Sequence, residues 1–139
     1  MSAPAVAVSP DGKRFAAAWK DVREGSPRVW WAFAAEPRFV KEGPIAEEPR
    51  VERNHPSLAA DDRGEFWAAW EEERGGAAWI RARSSATRES ARDVADASQG
   101  TPAFPVTACG AGLAVVAWEE TPKAGTGRVL FRVLEDSRR

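Results

Sequence analysis

Three carboxylates recur at one place in this chain. Trp19-Lys20-Asp21, Trp70-Glu71-Glu72 and Trp118-Glu119-Glu120 each set an acid two residues after a tryptophan. Carboxylates at the right spacing perform general acid/base hydrolysis. Gathered on one face, Asp21, Glu72 and Glu120 would equally bind a cation or a basic peptide, or form a solvated acidic rim. His55, the single histidine, follows Asn54 and precedes Pro56. It is the residue best suited to pH-sensitive chemistry, and beside a proline it also reads as a turn or cap residue. Trp30, Trp31 and Trp79 sit in apolar runs. Successive residues of a strand point to opposite faces, so one of the Trp30-Trp31 pair reaches a surface or an interface. An exposed tryptophan stacks a sugar ring, and it serves an interface equally well.

The elements that must hold these residues repeat three times. Pro4, Pro56 and Pro102 each open a short apolar stretch. A glycine turn follows: Asp11-Gly12, Asp61-Asp62-Arg63-Gly64 and Gly110-Ala111-Gly112. Next comes a run ending in tryptophan: Phe15-Ala-Ala-Ala-Trp19, Phe66-Trp-Ala-Ala-Trp70 and Ala114-Val-Val-Ala-Trp118. A further apolar run closes each unit, at 28–33, 77–82 and 128–133. Trp19 to Trp70 is 51 residues and Trp70 to Trp118 is 48. A period of that size, built of short strands and turns, marks the blade of a β-propeller. The expectation is an all-β fold of propeller-type blades, three repeats of about 48 residues per chain. Blade 1 spans about 3–50, blade 2 about 54–97 and blade 3 about 101–136. Strands are expected at 4–8, 14–20, 27–34 and 38–42; at 56–60, 65–71, 77–83 and 87–94; and at 102–107, 112–119 and 127–134. The third unit has no room for an outer strand. In it, Gly100-Thr101 stands where the second has Asn54-His55.

The tryptophan-bearing strand is apolar on both faces: Ala16-Ala-Ala18, Ala68-Ala69 and Val115-Val-Ala117. A strand covered on one side alternates; one covered on both reads as a continuous apolar run. Small residues let stacked sheets approach closely. The segment from Ser84 to Ala97 has helical propensity, but its place in the period is that of an outer strand. Closed propellers have four to eight blades, so three leave two raw apolar faces, and such faces mark association surfaces. A two-fold homodimer with six blades closes the ring most simply. The rival is that the chain is a piece of a longer propeller.

Composition bounds the rest. A net charge of −1 over 139 residues gives no reason to expect nucleic acid or an anionic membrane as partner. No apolar stretch is long enough for a membrane span. The N-terminus lacks a signal-peptide pattern; the expectation is a cytoplasmic protein, or a secreted or periplasmic one whose leader has been removed. Cys109 is the single cysteine, so no intrachain disulfide forms, and Cys109 with His55 is too few ligands for a zinc site. Cys109 reads as a small half-buried residue. No cofactor is expected.

The pattern His55-Pro-Ser-Leu-Ala, Gly64, Trp70-Glu, Gly76 and Ile80-Arg-Ala-Arg-Ser84 resembles repeats of the sialidase-like (neuraminidase-type, BNR-repeat) propeller superfamily. The resemblance covers nearly the whole chain and implies the fold more than an activity. Ser9-Pro-Asp11-Gly12 departs from that superfamily's Asp-box, with its glycine one place early and Trp19 too far on. Sialidases use a tyrosine nucleophile with a partner glutamate, an acidic general acid and three arginines that clamp the substrate carboxylate. This chain has no tyrosine, so that mechanism does not carry over. Arg81 and Arg83 resemble clamp arginines, since a guanidinium suits a carboxylate; on alternate positions of one strand they also read as solvent-facing or inter-blade residues. In propellers the ligand lies at the axial mouth, beside the connections that carry Asp21, Glu72, Glu120, Asn54 and His55. The expected function is a non-catalytic binding or scaffold protein that closes by homodimerisation and takes a glycan or peptide there. The alternative is a sialidase-like glycoside hydrolase using Glu72 and Glu120.

Overall fold

The computed structural model describes residues 2–35, 39–48, 51–86 and 90–135. These residues form three antiparallel sheets and no helix. The first sheet runs β1 (Ala5–Val8), β2 (Arg14–Asp21), β3 (Arg28–Ala35) and β4 (Phe39–Pro44). The second runs β5 (Glu52–Ala60), β6 (Phe66–Arg74), β7 (Ala77–Ser84) and β8 (Arg92–Ala95). The third has β9 (Gly100–Gly110), β10 (Leu113–Pro122) and β11 (Arg128–Glu135). Within each sheet the strands pair in chain order.

Turn chemistry explains the meander. Asp61 accepts hydrogen bonds from the N–H groups of Arg63 and Glu65, and Gly64 supplies the positive φ. Ala111 and Gly112, both at positive φ, form the two-residue link between β9 and β10, as a primed turn requires.

The observed strands differ from expectation at the inner and outer edges. The inner strands of the second and third sheets begin earlier than 56 and 102. Residues 52–54 pair with 71–73, and residues 100–103 pair with 119–122, beyond a register shift in each sheet. The outer strand expected at 87–94 is Arg92–Ala95; residues 87–89 lie outside the described residues. Among those residues the third sheet has three strands.

The sheets stack in chain order. β5 packs against β1, β2 and β3, and β9 packs against β5, β6 and β7. Each sheet thus offers two unlike faces. The front carries the repeated tryptophan; the back carries the residues between. One core joins the second sheet's front (Ala68, Trp70, Leu58) to the first sheet's back (Ala18, Val29, Trp31). Phe66 closes the same gap against Ala7 and Ala16. The other core joins the third sheet's front (Ala114, Val116, Trp118) to the second sheet's back (Trp67, Ala69, Ile80, Ala82). The buried alanines let the strands approach, and the tryptophans fill the remaining space.

The two outermost faces have no cover. Pairing register makes Val29, Ile80 and Val129 equivalent; the first two are 0% exposed and the third 72%. Trp31, Ala82 and Phe131 are likewise equivalent, and only Phe131 is open, at 70%. On the first sheet's front, Phe15 is exposed while its equivalents Phe66 and Ala114 are buried. Trp19 is half-buried where Trp70 and Trp118 are buried. Burying such a side chain contributes about 1.5–3 kcal/mol, so each open face forgoes several such terms.

Candidate functional site

The nine residues singled out by sequence do not form one site. Asp21 and Trp30 share a partner on the first sheet. The Arg23 guanidinium bonds Asp21 Oδ2 from Nε at 2.8 Å and stands 4.2 Å from the Trp30 ring centroid. Hydrogen bonds from the Arg23 side chain and backbone, with Trp19 Nε1 also donating, hold the Asp21 carboxyl down to about 2.

Glu72 is not on a rim. It is buried at the centre of an arginine cage. Arg53 Nε lies 2.9 Å from Oε2, and Arg74 Nε (2.5 Å) and Arg81 Nη1 (3.4 Å) face Oε1. Trp70 Nε1 donates to Oε2 at 3.2 Å. The tryptophan and the acid two residues on share a strand face, so the indole can cap the carboxylate; Trp19 does the same to Asp21. Burial pushes Glu72 up, but the bonds from Arg74 and Trp70 and the charges of Arg53 and Arg81 outweigh it and hold the carboxyl below the usual range. Arg53 is itself wholly buried and reaches Glu48 at 2.9 Å. Arg81 is buried between Glu72, Glu48 and Asp93. Arg83 crosses to the first sheet, where it donates to the Ile45 carbonyl at 2.9 Å and stands over Trp31. Arg81 is thus taken up by carboxylates of the chain itself, and Arg83 is half-buried.

Glu120 is buried too, and Arg128 holds it with two bonds, at 2.6 and 2.9 Å to Oε2. Glu120 and the half-buried Trp79 both border a cleft between the second and third sheets.

His55 sits in a different cluster. It precedes Pro56 at φ 47°, and Phe104 precedes Pro105 at φ 53°. The register makes these two positions equivalent, so Phe104, not Thr101, takes the place of His55 in the third repeat. Each is the extra residue of a bulge opposite the repeated tryptophan. Left-handed φ is unusual for such side chains, and the region is disfavoured before proline; each costs of order 1–3 kcal/mol. The neighbouring sheet compensates. Glu71 Oε1 accepts the Phe104 N–H at 2.6 Å, and Ser2 Oγ accepts the His55 N–H at 2.9 Å. Glu71 Oε2 lies 2.8 Å from His55 Nδ1, and the His55 and Phe104 rings meet edge-on with centroids 4.8 Å apart. Asn54 is the adjacent half-buried residue. This pairs an imidazole with a carboxylate beside an exposed phenyl ring, where β5 and β9 meet.

Sequence reasoning missed Glu71, Phe104 and Arg53. The repeated X-Pro pair, His55-Pro56 and Phe104-Pro105, was the available signal for Phe104. Arg53 gives none, because its partners come from β6 and from the segment after β4. Cys109 is half-buried, and burial, with the charges of Asp61 and Asp62, pushes its thiol up to about 12. Among the described residues, no group of three or more His, Cys, Asp or Glu could hold a metal ion. No protein-family model and no curated protein matches this chain.

Proposed function

We propose that the three sheets are blades of a β-propeller of the sialidase-like kind, that one chain forms half of the ring, and that a second copy completes it. The carrying observation is the repeated way in which front packs on back. The second sheet's front covers the first sheet's back, and the third's covers the second's. The faces left open are one front and one back, in the same register. The rule that joins neighbours within the chain therefore joins the third sheet of one copy to the first of the next. Head-to-tail contacts make a ring when the rotation closes. Two copies give six blades, within the four to eight that propellers use; three copies would give nine.

In this reading the protein is a binding or scaffold protein without catalysis. Its ligand, a glycan or a peptide, meets the axial mouth where His55, Asn54 and Phe104 of the inner strands gather with Glu71 of β6. Two facts support a non-catalytic role. The chain has no tyrosine for a sialidase-type nucleophile. Glu72 and Glu120, the carboxylates a hydrolase would need, are locked in ion pairs with arginines.

The test is a glycan and peptide array probed with the wild type and with a His55→Ala, Phe104→Ala double variant. Binding that the double variant loses, with no reducing sugar released, is the expected outcome. Release of reducing sugar, or binding indifferent to both substitutions, contradicts the reading.

A further inference from the structure

The two gaps between sheets are built alike but filled differently. In the first gap, Glu72 lies among Arg53, Arg81 and Glu48, and Ile45 is wholly buried beside them. Register places Pro102 at the position of Arg53 and Leu130 at that of Arg81. Ala95, opposite Ile80, stands where Ile45 bonds the Val29 carbonyl in the first sheet. Ser98, three residues on, stands where the first gap has Glu48. Four bulky or charged side chains thus become four smaller ones. The space they vacate is a cleft of about 290 Å³.

The lining of the cleft points to a ligand. Trp118 forms its aromatic wall, Trp79 borders it, and Asp96, Gln99 and Arg132 supply its polar rim. Trp118 is buried, and its Nε1 has no acceptor among the described residues. Its counterparts Trp19 and Trp70 both donate to the acid two residues on. Trp118 does not, because Arg128 draws the Glu120 carboxylate across the ladder. A buried donor without an acceptor is costly and is the kind of group a ligand oxygen satisfies. Asp96 accepts from the Ser98 N–H at 2.9 Å, and those bonds from Ser98 hold its carboxyl below the usual range. Asp93 is committed to Arg81 and Glu120 to Arg128, so the ionised rim that remains is one acid and one arginine, without net charge.

We propose that this cleft binds a single neutral sugar ring, with Trp118 against it, Trp79 at its border and Asp96, Gln99 and Arg132 bonding its hydroxyls. The volume lies at the lower edge of the roughly 300–1,000 Å³ of small-molecule pockets, which suits one ring and not a chain. The site belongs to one chain and does not depend on ring closure.

The seven tryptophans allow a direct test by the indole N–H signals of ¹⁵N-labelled protein, with Trp79→Phe and Trp118→Phe assigning two of them. The probes are the methyl glycosides of glucose, galactose and mannose, and N-acetylglucosamine. A ligand of that size binds with Kd on the order of 1 mM, so titration runs to roughly a hundred times that. The expected result is a saturable shift of the Trp79 and Trp118 signals alone. It is abolished in Ala95→Ile, which restores the bulk found in the first gap, and in a second variant, Asp96→Ala, it needs at least about tenfold more sugar. No shift with any of the four sugars, or a shift undiminished in both variants, overturns the proposal. So does a response only to N-acetyl-lysine methylamide, which would make this a cation site. Repeating the titration on the Phe131→Glu chain separates the two proposals: sugar binding persists there whether or not the ring exists.

Discussion

Phe131→Glu yields a folded monomer. Phe131 is exposed in the single chain, so a charge there costs the three-sheet unit little. In the proposed ring it takes the position that Trp31 and Ala82 hold in the two internal cores. Burying an unpaired carboxylate there removes an apolar contact and adds a desolvation cost. Loss of a central aromatic contact costs at least ~2–4 kcal/mol, and both contacts of a two-fold ring carry the substitution. The dimer dissociation constant therefore rises by more than about a hundredfold. Circular dichroism and the melting curve at low concentration should stay close to those of the unassociated wild type. Phe15→Glu, on the first sheet's open front, should act equally, because each contact uses one front and one back. If only one of the two variants dissociates the protein, the copies pair through one face with itself and the head-to-tail ring is wrong.

Glu72→Gln destabilises the fold by about 3–5 kcal/mol, because it removes the buried counter-charge of Arg53 and Arg81 and leaves them only the half-exposed Glu48 and Asp93. Arg53 is fully buried and Arg81 nearly so. Against total stabilities of about 5–15 kcal/mol, this is the largest effect of any single substitution considered. It also alters the acid response. The Glu72 carboxyl is held below its ordinary value in the folded chain, so its contribution is fully present above the unfolded value of about 4.3 and is lost as pH falls through the folded value. Urea denaturation at about pH 7 and about pH 3 should show a wild type that loses stability on acidification more steeply than Glu72→Gln. A loss under about 1 kcal/mol at neutral pH, or an unchanged acid response, would mean that the arginines find other partners.

Much of the fold was legible because it is written in short-range pattern. The doubly apolar Ala68–Ala69 run points to a strand covered on both sides, and those two residues lie in two different cores; of Ala16–Ala18, Ala16 and Ala18 lie in a core while Ala17 is half-buried on the open front of the first sheet. Asp61 and Gly64 fix a turn with their own side-chain bond and backbone freedom. The outer strand at Arg92–Ala95 was less clear, since the local propensity there favours helix and only pairing with β7 decides it.

The candidate site was legible in part. Trp-x-acid spacing puts both groups on one face, and the indole does cap Asp21 and Glu72. What the acid meets next depends on other strands. Glu72 meets Arg53 across the ladder and Glu120 meets Arg128, and neither pair is visible in local spacing. The motif and the register disagree by three residues: Pro102 stands in the motif where Pro56 does, but Pro105 is its partner in register. A bulge adds a residue without changing the apolar alternation that precedes it, so the equivalence of His55 and Phe104 needed coordinates.

The account rests on the two open faces finding each other. Light scattering after size exclusion, across a dilution series, tests this most directly. The prediction is a mass twice the 15.1 kDa chain, held on dilution. A folded, stable species of one chain mass at all concentrations would contradict the six-blade ring and leave the axial mouth without its second half.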